Sequence, residues 1–209
     1  MNGKLSDNAN WVLAIIIVIA IVVGSLGIGF FVVLNGSPLL LHVPVNWYGY
    51  QPNQVMADYC RVIRYLQCWP RQLHFYELPI SGSALKHFAD VKSLVKWLQV
   101  LTVFSLLICW LGLRYEKKNY QLWRLVILLQ QVLLLLGVMV GMLCLSFHDS
   151  FIIMHHLLFR NNYWVFSSKT DPIILLLPVS FFAKLFVVWM IIAAIIILGC
   201  WYWIKKCLN

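Results

Sequence analysis

Three histidines are the side chains in this sequence whose type and placement best suit acid–base chemistry. His87 comes shortly before one long apolar run, and the adjacent pair His155 and His156 follows another. An imidazole can accept or release a proton near neutral pH without a large shift in its pKa. Asp90 lies three residues after His87, so on a helix the two side chains share a face. A carboxylate there can orient the imidazole and stabilise its cation, the base-plus-orienter arrangement of many acyl-transfer sites.

The same residues have other interpretations. Polar side chains at the ends of membrane helices are often only solvated, and the histidine pair also fits an aromatic-rich interface belt. A metal site is a further alternative, but zinc catalysis needs three protein ligands and an open position. The HExxH motif is absent from the sequence, and adjacent histidines ligate one ion only awkwardly. We therefore expect no metal and no other cofactor, and at most one of His155 and His156 joining His87.

Cysteine and serine nucleophiles have little support. The sequence contains no GxSxG motif, and Cys60 and Cys68 have no obvious activating base. On one continuous helix these two cysteines would be roughly 12 Å apart, too far for a disulfide. We expect two free thiols.

The composition is that of a membrane protein. Of the 209 residues, 62% are hydrophobic and 11% are charged, and the mean hydropathy is +0.84. A soluble chain has about 45–50% apolar and about 25% charged residues, so this chain would expose too much apolar surface in water. The net charge of +9 comes from cations beside apolar runs, where they meet anionic headgroups. We expect no nucleic-acid partner.

Four apolar stretches are long enough to cross a bilayer, which takes about 20 residues. They cover 11–34, 94–113, 121–147 and 180–204. We therefore predict an all-α integral membrane protein with four transmembrane helices.

The remaining parts of the chain indicate its orientation. The N-terminus at 1–10, the hairpin at 114–120 and the tail at 205–209 are short and rich in cations, whereas the segments 35–93 and 148–179 are much longer. The cations of the short parts are Lys4, Arg114, Lys117, Lys118, Lys205 and Lys206. Short positive loops face the cytoplasm, so we place both termini inside. The two longer segments, with His87, His155 and His156, are then extracellular.

Two helices are expected in the first long segment. Over 54–66, apolar residues recur at helical spacing, with Asp58, Arg61 and Arg64 on the opposite face. Such an amphipathic helix would lie in the headgroup region. A second, short helix is expected after Ser81-Gly-Ser83, with Ser83 as its cap, leading into the span at 94–113.

Several short motifs together resemble the lipoprotein intramolecular transacylase (Lit) family. They are Lys86-His-Phe-Ala-Asp-Val-Lys92, Met154-His-His-Leu-Leu-Phe159, Asn162-Tyr-Trp164, Asp171-Pro172 and Leu177-Pro178-Val-Ser-Phe-Phe182. The match covers the order of the spans and the second half of both long segments. The resemblance implies an acyltransferase that moves an acyl chain within one lipoprotein. The chain leaves the sn-2 position of the diacylglyceryl group on the N-terminal cysteine and arrives on that cysteine's α-amino group.

The resemblance also implies roles for individual residues. His87 and His155 match the family's two histidines, with His156 as the alternative to His155. One imidazole, held by Asp90, would take the proton of the attacking amine, and the other would assist the departing glycerol oxygen or the oxyanion. We expect the substrate to contact four residues of the second long segment, namely Arg160, Asn161, Asn162 and Trp164.

The expected partners are diacylglyceryl lipoproteins as substrates and membrane lipids, with the protein acting as a monomer. The expected location is the plasma membrane of a Gram-positive bacterium. A metal-dependent membrane hydrolase is the alternative enzyme. A non-enzymatic subunit for membrane assembly or transport is the alternative outside catalysis.

Overall fold

The chain folds into α-helices, as its apolar periodicity predicts. The structure is a computed structural model that describes residues 6–45, 47–68 and 71–208, and of Cys144 only the backbone. Lys4, one of the predicted cytoplasmic cations, lies outside the described residues. Six α-helices occur in this part of the chain: α1 (Asp7–Gly36), α2 (Pro52–Gln67), α3 (Gly82–Lys118), α4 (Leu122–Leu145), α5 (Phe147–Leu158) and α6 (Val179–Lys206). Two short 3-10 helices cover Ser37–Leu39 and Pro172–Leu176.

Four of these helices, α1, α3, α4 and α6, are long and apolar enough to cross a membrane. This confirms the predicted all-α architecture with four spans. The short helix expected after Ser81 is continuous with the span that follows it, because no proline or helix-breaking turn separates them. α5 was not expected. The polar residues at 148–150 suggested a loop, but a helix begins again immediately after a single irregular residue, Ser146.

The described residues divide into two compact units. One consists of residues within 1–30, 99–142 and 188–209. Its core is aliphatic, with Ile17, Leu125 and Ile197 fully enclosed. Small residues permit close helix contacts there, as expected of membrane helices. A methyl group on Gly27 would lie 2.0 Å from the Thr102 hydroxyl.

The second unit consists of residues within 31–98 and 143–187 and contains all three candidate histidines. The apolar face of α2 packs here against protein, in a core that includes Tyr59, Leu78 and Phe181. This face is therefore buried within the unit, whereas we expected it to contact lipid headgroups.

Asp58 on α2 is buried, although the helical pattern placed it on the polar face. Its carboxylate accepts hydrogen bonds from the backbone N–H groups of Tyr76, Glu77 and Leu78 at 2.8–3.0 Å and pairs with Arg61. A buried carboxylate is tolerated only when it is hydrogen-bonded in this way. Asp58 thus fixes residues 76–78 to α2, shortly before α3 begins at Gly82.

Replacing Asp58 with alanine is expected to destabilise this unit by about 3 kcal/mol, because one buried and two partly buried backbone N–H groups lose their acceptor. Thermal unfolding in detergent micelles would show a clearly lower transition temperature. Arg64→Ala, at an exposed position of the same helix, is the matched control and should leave the transition nearly unchanged. Equal transitions for the two variants would contradict this account of Asp58.

Cys60 and Cys68 are free thiols, as expected. Both line a cleft of about 300 Å³ between α2 and the end of α1, together with Asn35 and Arg64. The cleft contains none of the candidate histidines.

Candidate active site

His87 is held by the first turns of α3. Ser81 precedes this helix, and its hydroxyl accepts a hydrogen bond from the backbone N–H of Ala84 at 3.1 Å. This is the geometry of a helix N-cap, so the capping residue is Ser81, and the prediction of Ser83 was wrong. The capped helix begins at Gly82, and His87 lies on its buried face.

Three contacts tie the residues after α5 to the beginning of α3. Asp171, which is 1% exposed, accepts a hydrogen bond from the backbone N–H of Ser81 at 2.7 Å. The ammonium of Lys86 lies 5.0 Å from the centre of the Tyr163 ring. Asn161 donates a hydrogen bond to the Asp90 carboxylate at 3.0 Å. The two parts of the chain that resemble the transacylase motifs therefore form one site.

His155 is the buried member of the histidine pair. It lies on the last turn of α5, and its Nδ1 is 2.7 Å from the backbone carbonyl oxygen of Phe151. A carbonyl oxygen only accepts hydrogen bonds, so Nδ1 carries the proton. In the neutral imidazole Nε2 is then the atom with the free lone pair. The Phe151 carbonyl orients this imidazole as a carboxylate does in catalytic triads.

The His87 and His155 rings lie close together in an aromatic environment. Their centroids are 6.0 Å apart, and the side chains are 8% and 9% exposed. The ring of Phe159 is 4.8 Å from that of His87 and 5.7 Å from that of His155, and Phe166 is 5.6 Å from His87. Among the described residues, Nδ1 of His87 is buried and has no hydrogen-bond partner. Two imidazoles thus face one largely apolar space.

The other predicted residues are arranged around this pair. His156 is exposed, and its ring contacts the Trp164 ring edge-on at 5.1 Å. Trp164 also contacts His155, with ring centroids 4.9 Å apart. Arg160 and Asn162 are exposed. The structure therefore brings Trp164 to the histidines and leaves Arg160 and Asn162 at the surface.

Asp90 has a different partner from the one that its spacing suggested. Its carboxylate accepts the hydrogen bond of Asn161, and it interacts with His87 electrostatically, without a hydrogen bond among the described residues. Asn161 in turn accepts a hydrogen bond from the backbone N–H of Tyr163 at 3.0 Å. Asp90 and Asn161 together hold the 161–163 turn against α3.

Burial lowers the pKa of His155, while its hydrogen bond to the Phe151 carbonyl acts in the opposite direction. The imidazole is therefore neutral at pH 7 and able to act as a base. The pKa of His155 in the folded state lies below the ordinary value for histidine. The neutral imidazole therefore contributes fully to stability when the pH is above that ordinary value. That contribution is lost as the pH falls through the folded-state pKa.

We expect this loss to be visible in thermal unfolding measured at pH 7.5 and at pH 5. The native protein should lose more thermal stability across this interval than His155→Gln, which has no titrating group at this position. His148→Gln, an exposed histidine on the same helix, should behave like the native protein. An identical pH dependence in all three proteins would show that His155 titrates normally.

A metal centre was the alternative use of these histidines. Among the described residues, no three histidine, cysteine, aspartate or glutamate side chains are grouped so that they could hold a metal ion.

The aromatic enclosure and the orienting carbonyl were missed by sequence reasoning. Phe151, Phe159 and Phe166 look like ordinary apolar residues of a membrane interface. The spacing of Phe151, His155 and Phe159 at intervals of four does place them on one helical face. That signal could have revealed the stack if α5 had been recognised.

The chain resembles known proteins in its sequence and in its fold. A family model described as lipoprotein intramolecular transacylase Lit matches residues 9–182. The chain is similar to the solved structure of the membrane-integral lipoprotein intramolecular transacylase Lit from Bacillus cereus. The identity is 22% and the TM-score 0.79, over 96% of this chain and 98% of that chain. A variant of the Bacillus protein with a histidine replaced by arginine is 23% identical, with a TM-score of 0.77 over 95% of this chain and 93% of that one. No curated protein sequence matches the chain.

Proposed function

The chain belongs to the lipoprotein intramolecular transacylase (Lit) family, and it is therefore an acyltransferase of lipoproteins. From this premise we propose that it moves the sn-2 acyl chain of an S-diacylglyceryl N-terminal cysteine to the α-amino group of that cysteine. The product is the lyso-form lipoprotein. The observation that carries the proposal is the pair of neighbouring buried imidazoles, His87 and His155, one of which has a fixed base nitrogen.

The reaction requires one base and no covalent enzyme intermediate. The amine nitrogen forms a bond to the ester carbonyl carbon, and the bond from that carbon to the glyceryl oxygen breaks. The proton lost by nitrogen passes through an imidazole to the departing oxygen. Since amine and ester belong to one molecule, attack proceeds through a cyclic intermediate, and proximity supplies much of the rate.

The geometry favours His155 as the base. Its Nδ1–H is held by the Phe151 carbonyl, so Nε2 can take the proton and return it to the glyceryl oxygen. This differs from the expectation that Asp90 would orient His87 as the base. His87 then interacts with the reacting groups through its unpartnered Nδ1, and the Asp90 carboxylate stabilises the positive charge that develops on the imidazole pair.

The enclosure by phenyl rings favours transfer to nitrogen over hydrolysis. A site largely closed to water strengthens the electrostatic interactions within it and limits competing attack by water. The neutral state of His155 at physiological pH is a consequence of the same burial.

The proposed location follows from the substrate. A mature lipoprotein is anchored in the outer leaflet of the plasma membrane with its N-terminal cysteine at the interface. An extracellular site meets this cysteine directly, and the proposed contacts of its headgroup and peptide are Trp164, Arg160, Asn161 and Asn162. The exposure of Arg160 and Asn162 suits contacts with the part of the substrate in water.

Asp90→Asn separates the charge of Asp90 from its structural contact. An asparagine can still accept the hydrogen bond of Asn161, but it cannot stabilise a cation. If the Asp90 charge stabilises the imidazole cation by the equivalent of about one pKa unit, its loss would slow transfer about tenfold. Thermal stability should change little. A native rate in Asp90→Asn would mean that Asp90 only positions the 161–163 turn.

The reaction class is tested with purified protein and two synthetic diacyl lipopeptides that differ in peptide and in sn-2 acyl chain. We expect each peptide to acquire its own acyl chain on nitrogen, without exchange between the two peptides. Exchanged acyl chains or a covalent acyl-enzyme would contradict the intramolecular mechanism. Release of free fatty acid that depends on added zinc would support the metal-dependent hydrolase instead.

A further inference from the structure

The indole N–H of Trp164 is a buried hydrogen-bond donor to which the fold gives no acceptor. Among the described residues it has no hydrogen-bond acceptor, and the nitrogen is inaccessible to solvent. An indole N–H can only donate, and buried polar groups without a partner are rare in folded proteins. Such a group needs an explanation, and a substrate acceptor is one.

The position of Trp164 is defined by contacts on both sides. Its ring lies 4.9 Å from the ring of His155 and 5.1 Å from that of His156. The turn that precedes it is held by Asn161, which bonds both the Asp90 carboxylate and the backbone N–H of Tyr163. The indole is therefore held against the base by neighbouring structure, as a preorganised catalytic donor must be.

A second unpartnered atom lies in the same aromatic cluster. Nδ1 of His87 is also buried without a partner in the described part of the chain, and the His87 ring is 6.0 Å from that of His155. The rings of His87 and Trp164 thus both lie close to the ring of His155, and each carries one polar atom that the fold leaves unsatisfied. A substrate with an amine and an ester carbonyl offers partners for both.

We propose that the indole N–H of Trp164 donates a hydrogen bond to the carbonyl oxygen of the scissile ester and stabilises the oxyanion that forms there. As the amine nitrogen bonds to the carbonyl carbon, the π electron pair moves onto this oxygen. When the bond from carbon to the glyceryl oxygen breaks, the pair returns and the new amide carbonyl forms. This role rests on the proposed function and adds a catalytic residue to it.

The structural alternative is that Trp164 is only a packing surface for the histidines. A phenyl ring would then serve almost as well, because it retains much of the apolar contact. The two roles differ in the step that they affect. An oxyanion donor acts mainly in the transition state and affects kcat, whereas a packing ring affects folding or KM.

The test compares Trp164→Phe with native protein on a synthetic diacyl lipopeptide in detergent. Removal of one oxyanion donor is expected to lower kcat about a hundredfold, with KM within about threefold of the native value. Trp201→Phe is the matched control, since Trp201 also has a buried indole nitrogen without a partner but belongs to the other unit. Its kcat should stay within about twofold of native.

A second substitution isolates the N–H if Trp164→Phe folds poorly. Incorporation of β-(3-benzothienyl)alanine at position 164 replaces the indole nitrogen with sulfur and keeps the shape of the ring. The same loss of kcat is expected. A native kcat in this protein, or a loss confined to KM, would overturn the oxyanion role.

Different results would contradict the role of Trp164 and the proposed function. If His87→Ala and His155→Ala abolish transfer while both substitutions at position 164 leave kcat unchanged, only the role of Trp164 is wrong. If the native protein itself moves no acyl chain from the glyceryl group to the cysteine nitrogen, the proposed function is wrong.

Discussion

Substitution of His155 by alanine is expected to reduce acyl transfer by about a thousandfold. General-base catalysis contributes about 10²–10⁴ to an enzymatic rate, and His155 is the imidazole with a defined base nitrogen, because its Nδ1–H is bonded to the Phe151 carbonyl. The rate would be measured by single turnover of a diacyl lipopeptide in detergent. The product would be identified by fragmentation that locates the acyl chain on nitrogen.

The neighbouring histidines make this prediction specific. His156 is exposed and contacts Trp164 edge-on, so His156→Ala is expected to lower the rate by less than tenfold. His148→Ala, at an exposed position of α5, should have the native rate. A larger loss in His156→Ala than in His155→Ala would mean that the adjacent residue is the base and that the side chains rearrange when substrate binds.

His87→Ala is expected to cost about as much as His155→Ala, and the two losses should not multiply. The rings lie 6.0 Å apart and interact electrostatically, so they act on the same proton and the same reacting groups. Residues that work as one unit show strongly non-additive losses. The double variant should therefore be no more than about tenfold slower than either single variant.

One result of this double-mutant cycle would contradict the expected coupling of His87 and His155. If each single variant loses about a thousandfold and the double loses about a millionfold, the two imidazoles act independently. The thermal transition of each variant in the same detergent serves as the control for folding. A cycle of this kind measures coupling between side chains, which the geometry alone cannot give.

The sequence predicts the membrane architecture well because its signals are local. A stretch of about 20 apolar residues is sufficient evidence for a span. The predicted spans 11–34, 94–113 and 180–204 lie within α1, α3 and α6, and the predicted span 121–147 contains α4 but extends beyond both of its ends. The amphipathic pattern at 54–66 likewise lies within α2. Its environment was predicted wrongly, because helical periodicity identifies an apolar face without saying whether lipid or protein covers it.

The site could be predicted only in part, because its geometry depends on contacts between distant residues. The residue types and the family resemblance identify His87 and the His155–His156 pair. The orientation of His155 depends on the unpredicted helix α5 and on a backbone carbonyl, which leaves no trace in residue type. The partner of Asp90 also depends on a contact between distant residues. A spacing of three permits contact with His87 but does not exclude a hydrogen bond with Asn161.

The aromatic enclosure is a second long-range feature. Phe166 reaches His87 from the irregular segment after α5, and this segment is fixed by Asp171, whose carboxylate bonds the backbone N–H of Ser81. In the sequence, Asp171-Pro172 is only one of the motifs that resemble the Lit family. Its role in holding the two halves of the site together required the fold to be known.

The most direct test is to express the protein in bacteria that make diacyl lipoproteins and to sequence their N-terminal lipopeptides by mass spectrometry. With the native protein, we predict lipopeptides of unchanged mass in which one acyl chain has moved from the glyceryl group to the cysteine nitrogen. With His87→Ala or His155→Ala at equal membrane abundance, both acyl chains should remain on glycerol. Nitrogen-acylated lipopeptides in cells that carry both substitutions would contradict catalysis by these two imidazoles.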